Sequence, residues 1–146
     1  MTIRCEIVSQ DRTVFEGDVD IVVLPGMDGE MGILPHHAPL LTTLKYGYIK
    51  VRNKGVETVF TVAGGVAEIQ PDIVTVLADS AENVEEIDVA RAEAARKHAE
   101  EALAALKDAG DADAYLALEA ALRRSNLRLE AAKRYHTSQR RSYSEE

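Results

Sequence analysis

The chain has 146 residues, 46% hydrophobic and 29% charged, which suits one medium domain or two small ones. One cysteine, Cys5, excludes an intrachain disulfide framework and leaves a thiolate zinc site unsupported. With 17 basic and 25 acidic residues, a net charge of −8 and no tryptophan, no nucleic-acid partner is expected. No apolar run approaches the ~20 residues that span a bilayer. The first residues resemble neither a signal nor a transit peptide. A soluble, intracellular chain is expected, meeting a membrane only through a partner.

Composition changes sharply near residue 84. Residues 1–84 carry all four prolines and eight of the nine glycines. Residues 85–134 carry sixteen alanines and no proline. The first part is turn-rich and β-branched, the second strongly helix-forming. Two modules follow, 1–84 and 85–135, with a polar tail over 136–146 expected to be disordered.

In the first module, short alternating runs recur at 3–8, 13–16, 18–24, 31–34, 39–44, 48–52, 56–62, 66–70 and 73–78. Gly47, Asn53 to Gly55, Gly64-Gly65 and Pro71-Asp72 separate several of them. About nine such strands without crossover helices indicate an antiparallel sandwich or flattened barrel. Ile73, Thr75 and Leu77 alternate with Val74, Val76 and Ala78, so this strand reads as apolar on both faces. Gly26, Gly29 and Gly32 precede no lysine and open no helix, and so read as turn glycines rather than a phosphate loop. His36 and His37 are adjacent, and on an extended segment they would point to opposite faces, which argues against a shared metal.

In the second module, Asp88 can cap a helix running to about Lys107, with Gly110 in the left-handed position beyond it. Asp111 or Asp113 then starts a second helix reaching about Arg134. The expected facing stripe of the first helix is Ala92, Ala95, Ala99, Ala102, Leu103 and Leu106, mostly methyl groups. At ~0.8 kcal/mol per buried CH₂-sized group, it holds a partner helix weakly. Charge is segregated along the hairpin. Residues 85–116 have four basic and nine acidic residues, net −5; residues 117–144 have seven and two, net +5. Arg123, Arg124 and Arg128 make the second helix basic.

No nucleophile elbow, carboxylate pair or metal spacing stands out, and the chain reads as no enzyme. Asp88 and Arg91 lie three apart at a helix start, where unpaired N–H groups favour anions. From the residues alone they read first as an N-cap with a local ion pair. Arg124 and Arg128 lie four apart on one helical face and suit phosphate.

Three segments carry a family resemblance. Residues 29–41, GEMGILPHHAPLL, and residues 63–79, AGGVAEIQPDIVTVLAD, resemble hallmarks of the epsilon subunits of F-type ATP synthases. Residues 87–92, IDVARA, are similar to the ATP-binding signature of that family's regulatory bacterial members. The resemblance implies an α+β chain, with a ten-stranded antiparallel β-sandwich followed by an antiparallel two-helix hairpin. It implies a central-stalk rotor subunit of a proton-translocating synthase at the cytoplasmic face of the bacterial inner membrane. Gamma and the c-ring are the implied partners, joined by beta and alpha in an inhibitory state. Glu30 and His37 would contact gamma and the c-ring; Arg123, Arg124 and Arg128 would meet beta. No cofactor is required, but ATP is implied as a regulatory ligand at Glu82, Ile87, Asp88, Arg91, Ala92, Arg124 and Arg128. One departure stands out: His98 occupies the place where binding members carry a further arginine. The alternative is a free-standing nucleotide-sensing or protein-binding β-sandwich with a helical appendage.

Overall fold

The computed structural model describes residues 1–106 and 110–136. The chain divides into two compact units, Met1–Asn83 and Val84–Glu146. The expected helix end at Lys107 and the tail over 137–146 lie outside the described residues.

The first unit contains ten strands. They are β1 (Ile3–Val8), β2 (Thr13–Val19), β3 (Ile21–Gly26), β4 (Gly29–Ile33) and β5 (Leu40–Leu44). They continue as β6 (Gly47–Asn53), β7 (Val56–Val62), β8 (Gly65–Ile69), β9 (Ile73–Ala78) and β10 (Ala81–Asn83). One hydrogen-bonded path runs β10-β7-β6-β3-β5-β8-β9-β1-β2, with β4 added to β3. The path folds back on itself. β3 pairs with β5 only through their ends, in register at Gly26 and Leu44, and β2 returns to touch β6 and β10. Phe15 of β2 and Phe60 of β7 meet across the fold with ring centroids 5.5 Å apart. A sandwich and a flattened barrel are thus two descriptions of one continuous, bent sheet.

Period-2 alternation fills its interior. Ile3, Cys5 and Ile7 of β1 are fully buried, as are Val22 and Leu24 of β3 and Val74 and Val76 of β9. All the pairings are antiparallel except β1 with β9, which run parallel with Arg4 opposite Ile73. These strands are 65 residues apart in sequence, so the intervening strands supply the connection that a crossover helix supplies elsewhere. The outer face of β9 differs from expectation: Leu77 is 55% exposed, because β9 covers the core with one face only. Its apolar outer residues sit on the far side of the sheet.

Turn chemistry follows the glycines. Gly26 and Gly29 pair across a tight β3–β4 hairpin. Gly65 has φ +133°, and a Cβ there would strike the Leu77 carbonyl and approach the Ala78 Cα to 2.8 Å. Only glycine lets β8 lie that close to β9.

The second unit is a helical hairpin. A 3-10 turn, Val84–Glu86, precedes α1 (Val89–Leu106); α2 (Ala112–Ala131) ends in a π-turn, Ala132–His136. Gly110 adopts φ +68°. Asp111, not Asp113, caps α2, accepting the Ala114 N–H at 3.1 Å. The helices run antiparallel, since the start of α1 and the end of α2 line one groove. The fully buried positions along the two helices are small side chains. Ala92 and Ala99 are buried on α1, and Ser125 and Ala131 on α2, with Ala132 buried just beyond. Ala95 is exposed instead of joining the stripe, while Arg96 is partly covered. Ser125 directs its hydroxyl to the Ala121 carbonyl of its own helix at 2.9 Å, so its burial leaves no donor unpaired.

Candidate functional site

The motif at 87–92 sits where the 3-10 turn passes into α1. Ile87 is 5% exposed and Ala92 is fully buried, so these two are packing positions. Asp88 is exposed and acts as N-cap: its carboxylate accepts the Arg91 N–H at 3.1 Å, and its carbonyl accepts the Ala92 N–H at 3.0 Å. The Arg91 side chain is left exposed on the first turn. One charged group therefore builds the helix start, and the other is presented beside it.

Arg124 and Arg128 share a face of α2, Arg124 exposed and Arg128 half-buried. Arg123 is also exposed. Val89 of α1 and Ala132 line the same groove. Arg128 and Arg124 precede Ala132 by four and eight residues, ~6 and ~12 Å along the axis. Glu82 belongs to the other unit. It lies half-buried on β10 opposite Thr61, whose hydroxyl donates to the Glu82 carbonyl at 3.4 Å.

The groove of about 460 Å³ between the helices draws on other residues: Val89, Glu93 and Arg96 from α1, with Asn126, Leu129, Lys133 and His136 facing them. His136, which sequence reasoning assigned to the tail, is part of the hairpin. Its Nε2 lies 2.7 Å from the Val84 carbonyl. A single histidine just past a periodic helix carries no pattern that would have marked it.

On the sandwich, Glu30 lies exposed on β4 opposite Pro25. His36 occupies a turn and His37 the irregular chain just after it, rather than an extended segment. His36 has φ +66°, and its N–H donates to the Pro71 carbonyl at 2.8 Å; the half-buried His37 places Nδ1 2.7 Å from the Ala38 carbonyl. Leu34, Leu40 and Leu41 are exposed on either side of this turn. Among the described residues, no group of three or more His, Cys, Asp or Glu is placed to hold a metal. Cys5 is buried, and desolvation, with Glu6 adding a smaller effect, pushes its thiol from 9.0 up to about 12. A thiol held neutral in this way is no nucleophile.

A β-sandwich followed by a helical hairpin, with an Asp88-capped turn presenting Arg91 at their junction in sequence, defines a recognisable class of two-part chain. Residues 2–84 match the family model for the beta-sandwich domain of the ATP synthase delta/epsilon chain, and residues 85–133 match that for its long alpha-helix domain. The ATP synthase epsilon chain of Dehalococcoides mccartyi is 48% identical over 132 residues, covering 90% of this chain and 93% of its own. A chain in the Euglena gracilis mitochondrial ATP synthase structure (OSCP, F1 and c-ring) shares the fold with TM-score 0.68 at 23% identity, covering 92% of this chain and 82% of that one. A chain in the central stalk and c-ring structure of the Tetrahymena thermophila mitochondrial ATP synthase shares it with TM-score 0.56 at 12% identity, covering 90% and 97%. The chain belongs to the ATP synthase delta/epsilon chain family, on its epsilon side. No described helix is long and apolar enough to cross a membrane.

Proposed function

We propose that this chain is a non-catalytic rotor subunit of a proton-translocating bacterial synthase, joining gamma and the c-ring through its sandwich and restraining ATP hydrolysis through its helices. The observation that carries this reading is the contrast between its two units. One is knit by a dense β-branched core, suited to permanent attachment; the other buries only small side chains fully along its two helices, Ala92, Ala99, Ser125 and Ala131, with most of its leucines half-covered, suited to rearrangement. Exposed Leu34, Leu40 and Leu41 around His37, with Glu30 nearby in sequence, support a protein contact there. The basic face of α2, with Arg123, Arg124 and Arg128, suits acidic residues of beta, with alpha alongside, in the inhibitory state. On this reading the chain sits peripherally at the cytoplasmic face of the inner membrane and touches the bilayer only through the c-ring.

ATP is proposed as a regulatory ligand that favours the folded-back hairpin, held by Arg91 on the capped turn and by Arg124 and Arg128 from α2. A guanidinium pair offsets the charge of a phosphate whose desolvation is otherwise costly. Because the side chains fully buried along the two helices are small, modest binding energy is enough to decide between hairpin states; a ligand at 100 times its dissociation constant contributes ~2.7 kcal/mol.

Size-exclusion chromatography of the purified chain with purified gamma tests attachment. A single co-eluting species is expected. Separate elution at micromolar concentration contradicts the rotor assignment.

A further inference from the structure

We propose that the hydrogen bond between His136 and the Val84 carbonyl is a clasp that closes the open end of the hairpin and must break before α2 can leave α1. The proposal rests on the reading above that the hairpin opens, and it names the residue that controls the step. The two residues stand 52 positions apart, at the last described residue of the π-turn and the first of the 3-10 turn. At the far end of the hairpin the helices are joined by chain, so separation must begin at the end where these two meet.

Three features make this contact more than a surface hydrogen bond. The distance is short, 2.7 Å, and the acceptor belongs to a residue only 3% exposed. Ala132, the first residue of the π-turn, is also buried, so the turn is seated rather than fraying. A π-turn spends one more residue per turn than an α-helix, which changes the direction in which its last side chain points. Here that last side chain is His136. Breaking the clasp removes the side-chain donor from a carbonyl that water reaches poorly until the end opens fully, which favours cooperative opening over gradual fraying. The fully buried side chains along the two helices are small, so one bond at the open end weighs appreciably in the balance.

The test is a distance measurement on the full isolated chain, with Ala94→Cys and Glu130→Cys carrying nitroxide labels at two exposed positions near the open end. The native thiol, Cys5, is buried and escapes labelling. His136→Ala is expected to raise the long-distance population about fivefold, the loss of one ordinary hydrogen bond. His136→Gln keeps an N–H donor at similar reach and is expected to restore the short distance. Helicity by circular dichroism is expected to be unchanged in both. Because the readout needs neither ATP nor partner subunits, it succeeds or fails independently of hydrolysis control. An Ala variant that keeps the wild-type distribution, or a Gln variant as open as Ala, overturns the proposal.

Discussion

Asp88 caps α1 by accepting the backbone N–H of Arg91 at 3.1 Å, so one member of the pair builds the helix start and the other is free to act from it. The two residues therefore have separable roles. Arg91→Ala and Arg124→Ala are each expected to weaken ATP binding at least tenfold without lowering helicity. Asp88→Ala is expected to lose about 1 kcal/mol of hairpin stability through the lost cap. Isothermal titration, paired with thermal melts of the same variants, separates these effects. Equal binding by wild type and both arginine variants would reduce the motif to a capped helix start.

Gly65→Ala is expected to destabilise the sandwich by about 1–3 kcal/mol. The position combines φ +133° with the close approach of Leu77 and Ala78 from β9, so neither the backbone nor the packing can adapt cheaply. Urea denaturation checks it, with the midpoint falling at an unchanged slope.

Burial raises the Cys5 thiol to about 12 from 9.0, so the unfolded chain ionises first as pH increases. Stability owed to the neutral thiol is complete below about pH 9 and declines as pH approaches 12, by at most ~1.4 kcal/mol per unit. Cys5→Ala is expected to flatten the stability profile in that window relative to wild type. At pH 8 the native thiol is expected to resist alkylation until the sandwich unfolds.

The local physics of both units is legible in the sequence, and the non-local physics is not. Ile3, Cys5 and Ile7 announce β1 because a strand has period 2, and Asp88 announces α1 because a cap needs a short acceptor. β10 escaped periodicity, since three half-buried residues form no pattern. The parallel pairing of β1 with β9 depends on where the chain returns, and alternation says nothing about that. Leu77 reads as core by composition yet lies outside, because apolar character alone does not tell a strand which side will be covered. In the hairpin, Asp111 and Asp113 were equally good caps until the backbone at Asp111 decided between them. His136 gave no signal because its role depends on the π-turn, whose extra residue breaks the 3.6 period.

Charge on α2 is expected to carry the inhibitory contact. Replacing Arg123, Arg124 and Arg128 together by Ala should raise ATP hydrolysis by the assembled complex several-fold while the chain stays bound. Added salt should reproduce part of that rise in wild type, since exposed charges are screened over ~8–10 Å. Unchanged hydrolysis with a bound, helical variant would assign the basic face to solvation alone.

The division of labour between the two units is tested most directly by ATP hydrolysis of an alpha–beta–gamma complex reconstituted with either the full chain or a chain ending at residue 84. Both are expected to bind. The shortened chain should leave hydrolysis at the uninhibited rate, and the full chain should lower it. Equal rates with both chains bound, or a shortened chain that neither folds nor binds, would contradict the account.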